Sequence, residues 1–187
     1  MFLKRDNPHT LVVGMTGVKM GDRLLQIGCA HAGRLGAIAS KVGLSGRAVV
    51  VAPDEAAAAR ARKGGAEAGV LVEVEVAPLT RLPLEQDGFD FAIVDDTGGM
   101  LGAQRAEDRA IAMRELLRVV RPGGRVMIIG AGPRTGLGGL LSRGSSDATF
   151  SAADATNALE SGGFRKVRTL AEREGLVFVE GVKPRHG

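Results

Sequence analysis

Two adjacent carboxylates, Asp95 and Asp96, close the apolar run that begins at Phe89, and so stand where a buried strand would end. A carboxylate at such a place can serve as a base toward a bound molecule, or it can simply be a solvated strand end. A second candidate is the turn Gly28-Cys29-Ala30-His31-Ala32-Gly33, where side chains are small or absent. Such a turn lets the backbone approach a ligand without a Cβ in the way. His31 sits in it and can reach a ligand or point to solvent, and His9, far earlier in the chain, can reach the mouth of the same site. Cys29 has no basic sequence neighbour to make it a thiolate and reads as a small packing residue. Asp54 and Glu55 follow another apolar run, and Asp54 is either a ligand-binding carboxylate or the N-cap of the next helix. Cysteine, histidine and carboxylates form no cluster of metal-ligand spacing, so no metal is expected.

The elements that must position these groups alternate between strand and helix. Asn7-Pro8 reads as a helix start, with Asn7 as N-cap and Pro8 in the first turn, ending near Gly17. A strand over 23–27, a helix over 33–42 and a continuous apolar strand over 48–51 follow, the last suited to a parallel sheet covered on both faces. An alanine-rich helix opens at Asp54 and ends near Gly64-Gly65, and strands are expected over 70–76 and 89–94. Ala110, Met113, Leu117 and Val120 mark a helix that Pro122-Gly123-Gly124 should stop, ahead of a strand over 125–129. A glycine-rich segment, 130–146, could fold over the site as a lid or be merely a loose loop. A helix over 152–161 and strands over 164–170 and 176–182 complete the chain. The short link 171–175 permits only an antiparallel hairpin. The expectation is a doubly wound, Rossmann-like α/β fold: a mostly parallel seven-stranded sheet with a C-terminal antiparallel hairpin. It fills one domain over 1–187, with an N-terminal helix at about 8–16 and a core at about 18–182.

Length and composition agree with that reading. The 187 residues suffice for one sizeable core, and 44% apolar with 25% charged residues is ordinary globular composition. No run approaches the roughly 20 apolar residues of a membrane span, and residues 1–7 lack the apolar centre of a secretory signal. A single cysteine forms no internal disulfide, which suits the cytoplasm. The 25 basic residues exceed 21 acidic ones, and Arg118, Arg121, Arg125, Arg134 and Arg143 make a basic stretch. Tyr and Trp are both absent, however, and nucleic-acid binders usually add stacking aromatics to clustered charge, so a nucleic-acid partner is not expected.

Three segments together resemble the class I S-adenosylmethionine-dependent methyltransferases, in particular the branch similar to ubiquinone and menaquinone methyltransferases. They are 24–39 with its Ile27-Gly28-Cys29 step, Arg81-Leu82-Pro83-Leu84 followed by Gly88-Phe89-Asp90-Phe91, and 116–125 ending in Arg121-Pro122-Gly123-Gly124-Arg125. The resemblance implies S-adenosylmethionine as cofactor and a small-molecule methyl acceptor. It sets Gly28, Cys29 and Ala30 against the methionine end, Ala52, Pro53 and Asp54 near the ribose, and Pro78 and Leu79 near the adenine. Asp95 would stand beside the sulfonium, and Asp95 or Asp96 would be the catalytic base.

One departure is systematic. The positions where the family usually carries cofactor-holding carboxylates fall on Gln26, Ala52 and Pro78, and its second and third motif glycines fall on Ala30 and Ala32. A hydrogen bond to a charged group contributes roughly 1.5–3 kcal/mol, so losing two such anchors would weaken binding by about 3–6 kcal/mol. A non-catalytic relative acting as a binding or partner subunit is therefore the alternative, with a protein partner or self-association. A third reading is a nicotinamide-dinucleotide enzyme, since Gly28, Ala30 and Gly33 loosely mimic that fingerprint.

Overall fold

The computed structural model describes residues 8–132 and 150–185. Seven strands, β1 (Arg23–Ile27), β2 (Arg47–Ala52), β3 (Glu73–Val76), β4 (Phe89–Asp96), β5 (Val120–Ala131), β6 (Arg165–Arg173) and β7 (Leu176–Val182), form one sheet. Its order is β3-β2-β1-β4-β5-β7-β6. The first five strands are parallel, and β7 pairs antiparallel with both β5 and β6. This is the doubly wound, mostly parallel sheet with a terminal hairpin that the alternation of elements implies.

Burial on both faces explains the unbroken apolar runs. Leu25 and Ile27 of β1 join Val49, Val51 and Val94 on one face, where α4 (Ala106–Val119) and α5 (Ala152–Ser161) cover them. Leu24 joins Ala48, Phe91 and Ile93 on the other, beneath α1 (Thr10–Thr16) and α2 (Ala32–Ala39). On that side α3 (Glu55–Ala68) buries Ala61 against Leu35 and Val50.

The α2–α3 crossing is unusually close. A Cβ on Gly64 would lie 2.2 Å from the Ala32 carbonyl oxygen, and one on Gly36 would lie 2.5 Å from the Gly64 oxygen. A helix-interior glycine costs about 1 kcal/mol relative to alanine. Here glycine is required because the first turn of α2, which follows the Gly28–His31 turn, rests directly on α3.

Several boundaries differ from the sequence reading. Helix α1 begins at Thr10 with His9 at the N-cap, two residues beyond the expected start at Pro8, and Asn7 lies outside the described residues. Most of the segment 130–146, the expected lid, also lies outside them. The helix expected over 33–42 splits into α2 and a 3-10 turn, Ser40–Val42. Strand β3 is shorter than 70–76 because its ladder with β2 starts only at Glu73 opposite Val49.

No helix joins β3 to β4, so the alternation of strand and helix is broken there. Residues 77–88 instead insert Leu79 and Leu82 into the core. Arg118 of α4 fastens that link, donating to the Leu84 and Leu82 carbonyls at 2.8 and 3.1 Å. Helix α4 stops at Val119, before Pro122-Gly123-Gly124. Val120 already pairs with Phe89, and the Pro-Gly-Gly sequence lies inside β5 as its irregular beginning. Strands β6 and β7 run closer together than the link 171–175 suggested. Glu174 and Gly175 alone make the turn, with φ of 53° and 72°, as in the tight hairpin turns that match strand twist.

Candidate functional site

The sheet order reverses at β1, which has β2 on one side and β4 on the other, and open α/β sheets bind ligands beyond the carboxyl ends at such a switch point. Gly28 leaves β1 with φ of 74°, a conformation that favours glycine. Its N–H donates to the Val51 carbonyl at 2.8 Å. A Cβ there would stand 3.3 Å from the Asp95 carbonyl oxygen and 3.2 Å from the Met100 sulfur. Two residues earlier, Gln26 is 1% exposed. Its Nε2 donates to the Gly28 carbonyl at 2.9 Å, which fixes the amide orientation, and its Oε1 is buried with no partner.

Strand β4 presents its two carboxylates to opposite sides. Asp95 turns toward the glycine loop, where Oδ2 accepts the Ala30 N–H at 3.0 Å. Its Oδ1 accepts from Arg34 at 3.1 Å and from the Thr97 hydroxyl at 2.7 Å. Arg34, in the first turn of α2, also donates to the Thr97 hydroxyl oxygen at 2.9 Å. Asp96 accepts the Leu101 N–H at 2.6 Å. Burial pushes its carboxyl up to about 6 despite the Leu101 N–H, with the neighbouring Asp95 charge adding to the rise. Proximity in the chain therefore conceals different chemistry: Asp95 is an ion-paired brace, and Asp96 titrates near neutrality.

Two histidines meet at the rim of this turn. His9 and His31 meet edge to face with ring centroids 5.1 Å apart. Burial holds His9 below its ordinary pKa, with the nearby charges of His31 and Arg34 acting in the same direction. Gly33 admits this arrangement, since a Cβ there would be 2.9 Å from His9 Nε2. From α3, Arg60 donates to the Cys29 carbonyl at 2.7 Å. The Cys29 thiol is buried, and burial together with the Asp95 charge pushes it up to about 11, so it is protonated at neutral pH.

The neighbouring strand ends offer little charge. Ala52 is fully buried against Ala57 and Ala58. Pro53 and Pro78 are exposed, and Leu79 is buried. Asp54 caps α3, accepting the Ala57 N–H at 2.8 Å, and Glu55 pairs with Arg62. The structure thus gathers Gly28, Cys29, Ala30, His9, His31 and Asp95 around one turn and holds Ala52, Pro53, Asp54, Pro78 and Leu79 at the next two strand ends. Arg34, Arg60, Thr97 and Met100 belong to the same neighbourhood and were missed. Arg34 lies 61 residues from its partner Asp95, a separation that gives no local signal.

A methyltransferase-domain family model matches residues 25–128, more than half of the chain. An uncharacterized 37.1 kDa protein in a Streptomyces fradiae transposon is 34% identical over 108 residues, covering 58% of this chain and 30% of the relative. An uncharacterized Mycobacterium tuberculosis protein is 29% identical over 119 residues, covering 64% of this chain and 40% of its own length. The chain thus spans well under half of the curated relatives it matches. Among solved structures, an S-adenosylmethionine-dependent methyltransferase from Aquifex aeolicus superposes with a TM-score of 0.74 at 21% identity, covering 94% of this chain and 89% of the other. The methyltransferase SibL in its apo form superposes with a TM-score of 0.69 at 25% identity, covering 95% and 55%.

Proposed function

The chain belongs to the methyltransferase-domain family, and on that premise we propose that it is a class I S-adenosylmethionine-dependent methyltransferase acting on a small molecule in the cytoplasm. The branch similar to ubiquinone and menaquinone methyltransferases is the one its three sequence segments resemble. The observation that carries the reading is the switch-point crevice, where the Gly28 turn faces the Asp95 end of β4 across a loop of small residues. The crevice fits the cofactor in two respects. Ala30 offers only a methyl at the exposed end of the turn, and the orphaned Gln26 Oε1 is an acceptor awaiting a donor.

When bound, the cofactor supplies a methyl group activated by a positive sulfur. Gly28, Cys29 and Ala30 would lie beside its methionine end, and Ala52, Pro53 and Pro78, Leu79 beside its ribose and adenine. Asp54, whose Oδ1 caps α3, would lie with Ala52 and Pro53 near the ribose. The chain contributes mainly alignment, which can supply a large part of a barrier reduction. Asp96, buried and turned toward the Leu101 N–H, could act as a base only on an acceptor that reaches the α4 side of the strand end. Asp95 is a positioning residue, holding the Ala30 backbone and the Thr97 hydroxyl in place.

Equilibrium dialysis with methyl-labelled S-adenosylmethionine tests the reading. Saturable binding to the folded chain, lost in Gly28→Val, supports it; no binding to either form overturns it. The non-catalytic alternative draws on the absent strand-end carboxylates and on an Asp95 that is 3% exposed and already paired. The [4+2]-cyclase SpnF has a similar fold, with a TM-score of 0.66 at 16% identity, so the architecture alone does not dictate the reaction. Methyl transfer to a panel of small acceptors separates the two. The nicotinamide reading loses ground to the antiparallel β7 lying beside β5.

A further inference from the structure

Charge in the crevice is arranged against a cation. The strand-end positions Gln26, Ala52 and Pro78 are neutral. The carboxylate that faces the Gly28 turn, Asp95, has a side chain only 1% exposed, and the Arg34 side chain that neutralises it is 12% exposed. A second guanidinium, Arg60, reaches the same turn at the Cys29 carbonyl. Asp96 is turned away toward Leu101. Arg34 is not placed for maximal hydrogen bonding, because its Nε is buried without a partner. What it does provide is a positive charge beside the strand-four carboxylate.

We propose that Arg34 is a specificity-determining residue, a tethered cation holding the place beside Asp95 that a ligand's positive charge would otherwise take. The crevice consequently favours the uncharged thioether S-adenosylhomocysteine over the sulfonium S-adenosylmethionine. This inference rests on the cofactor reading above. The two ligands differ by one methyl group and one positive charge, so the change in their affinity ratio between wild type and a charge variant cancels the methyl and reports the electrostatics. A unit charge several ångströms away in a partly buried site, at an effective dielectric constant of about 20, changes that ratio by roughly ten- to a hundredfold.

Isothermal titration of both ligands into wild type, Arg34→Met, Arg34→Lys and Asp95→Asn tests the proposal, with circular dichroism confirming that each variant is folded. Wild type is expected to bind S-adenosylhomocysteine more tightly. Arg34→Met, which leaves Asp95 unpaired, shifts the ratio toward S-adenosylmethionine by about tenfold or more, whereas Arg34→Lys keeps the charge and the wild-type ratio. Asp95→Asn shifts the ratio the other way, and carries the test if Arg34→Met does not fold. Equal factors for both ligands in Arg34→Met, or a lysine variant that behaves like the methionine one, overturn the proposal and leave the cofactor reading standing. A folded wild type that binds neither ligand overturns both.

Discussion

Replacing Gly64 with alanine tests whether the α2–α3 contact fixes the site. In an exposed helix the change would stabilise by about 1 kcal/mol, because alanine is the better helix former. Here the new methyl would fall 2.2 Å from the Ala32 carbonyl oxygen and 2.9 Å from its carbon. Both are backbone atoms, so α2 and α3 must separate by about 1 Å to restore van der Waals contact. Overpacking of this kind costs about 1–3 kcal/mol, and the loosened contacts of Leu35 and Ala61 add to it. The expected net effect is a loss of about 1–3 kcal/mol, read from urea denaturation followed by far-ultraviolet circular dichroism. Gly14→Ala is the matched control, since nothing lies within 4 Å of its would-be methyl, and it should gain about 0.5–1 kcal/mol. A Gly64→Ala variant as stable as Gly14→Ala would refute the close crossing. So would unchanged amide signals in the Gly28–Arg34 loop, which starts from the displaced turn.

Three further outcomes are expected. Because the Asp96 pKa is raised to about 6 in the folded chain, its ionisation opposes folding: the stability it allows is full below the unfolded pKa and lost as pH rises through about 6. Asp96→Asn, which keeps an acceptor for Leu101, should therefore exceed wild type by about 2–3 kcal/mol at pH 7.5 and by little at pH 4; a constant gap across that range contradicts it. Arg125→Met should cost about 2 kcal/mol in urea titration, because Arg125 pairs with the buried Glu180 at 2.8 Å and lies 4.4 Å over the Phe91 ring. Cys29, buried and shifted up to about 11, should react with a thiol-directed disulfide reagent only at the rate of unfolding; labelling as fast as free cysteine would show an accessible thiol.

The parts of the fold that were legible are those where periodicity records burial. The run 48–51 is apolar because β2 is covered on both faces, and β7 and α5 fall where their patterns put them. Asp54 follows the N-cap rule because capping is a local contact. Strand β6 runs past the 164–170 that the pattern predicts because it is a sheet edge: its nine residues, Arg165–Arg173, are exposed or half-buried, so polar residues break the pattern. The end of α4 was misjudged because glycine and proline usually stop a helix, whereas here Val120 was already claimed by Phe89 in the neighbouring strand. The candidate site was half legible. The Gly28 turn and the Asp95-Asp96 pair could be seen in sequence, but the difference between the two carboxylates could not. It arises from Arg34 reaching Asp95 across the loop, and from burial that no local pattern encodes.

The central claim is that the crevice beyond β1 and β4 is where this chain takes its ligand. An amide-resolved nuclear magnetic resonance titration of the 19.4 kDa chain with S-adenosylhomocysteine addresses it directly. Saturable shifts at Gly28, Ala30, Ala32 to Arg34 and Thr97 to Gly99, with smaller ones at Ala52 and Ala77, are the expected result. No shifts, or shifts confined to surfaces such as the α4–α5 groove around Arg109 and Asn157, would contradict it.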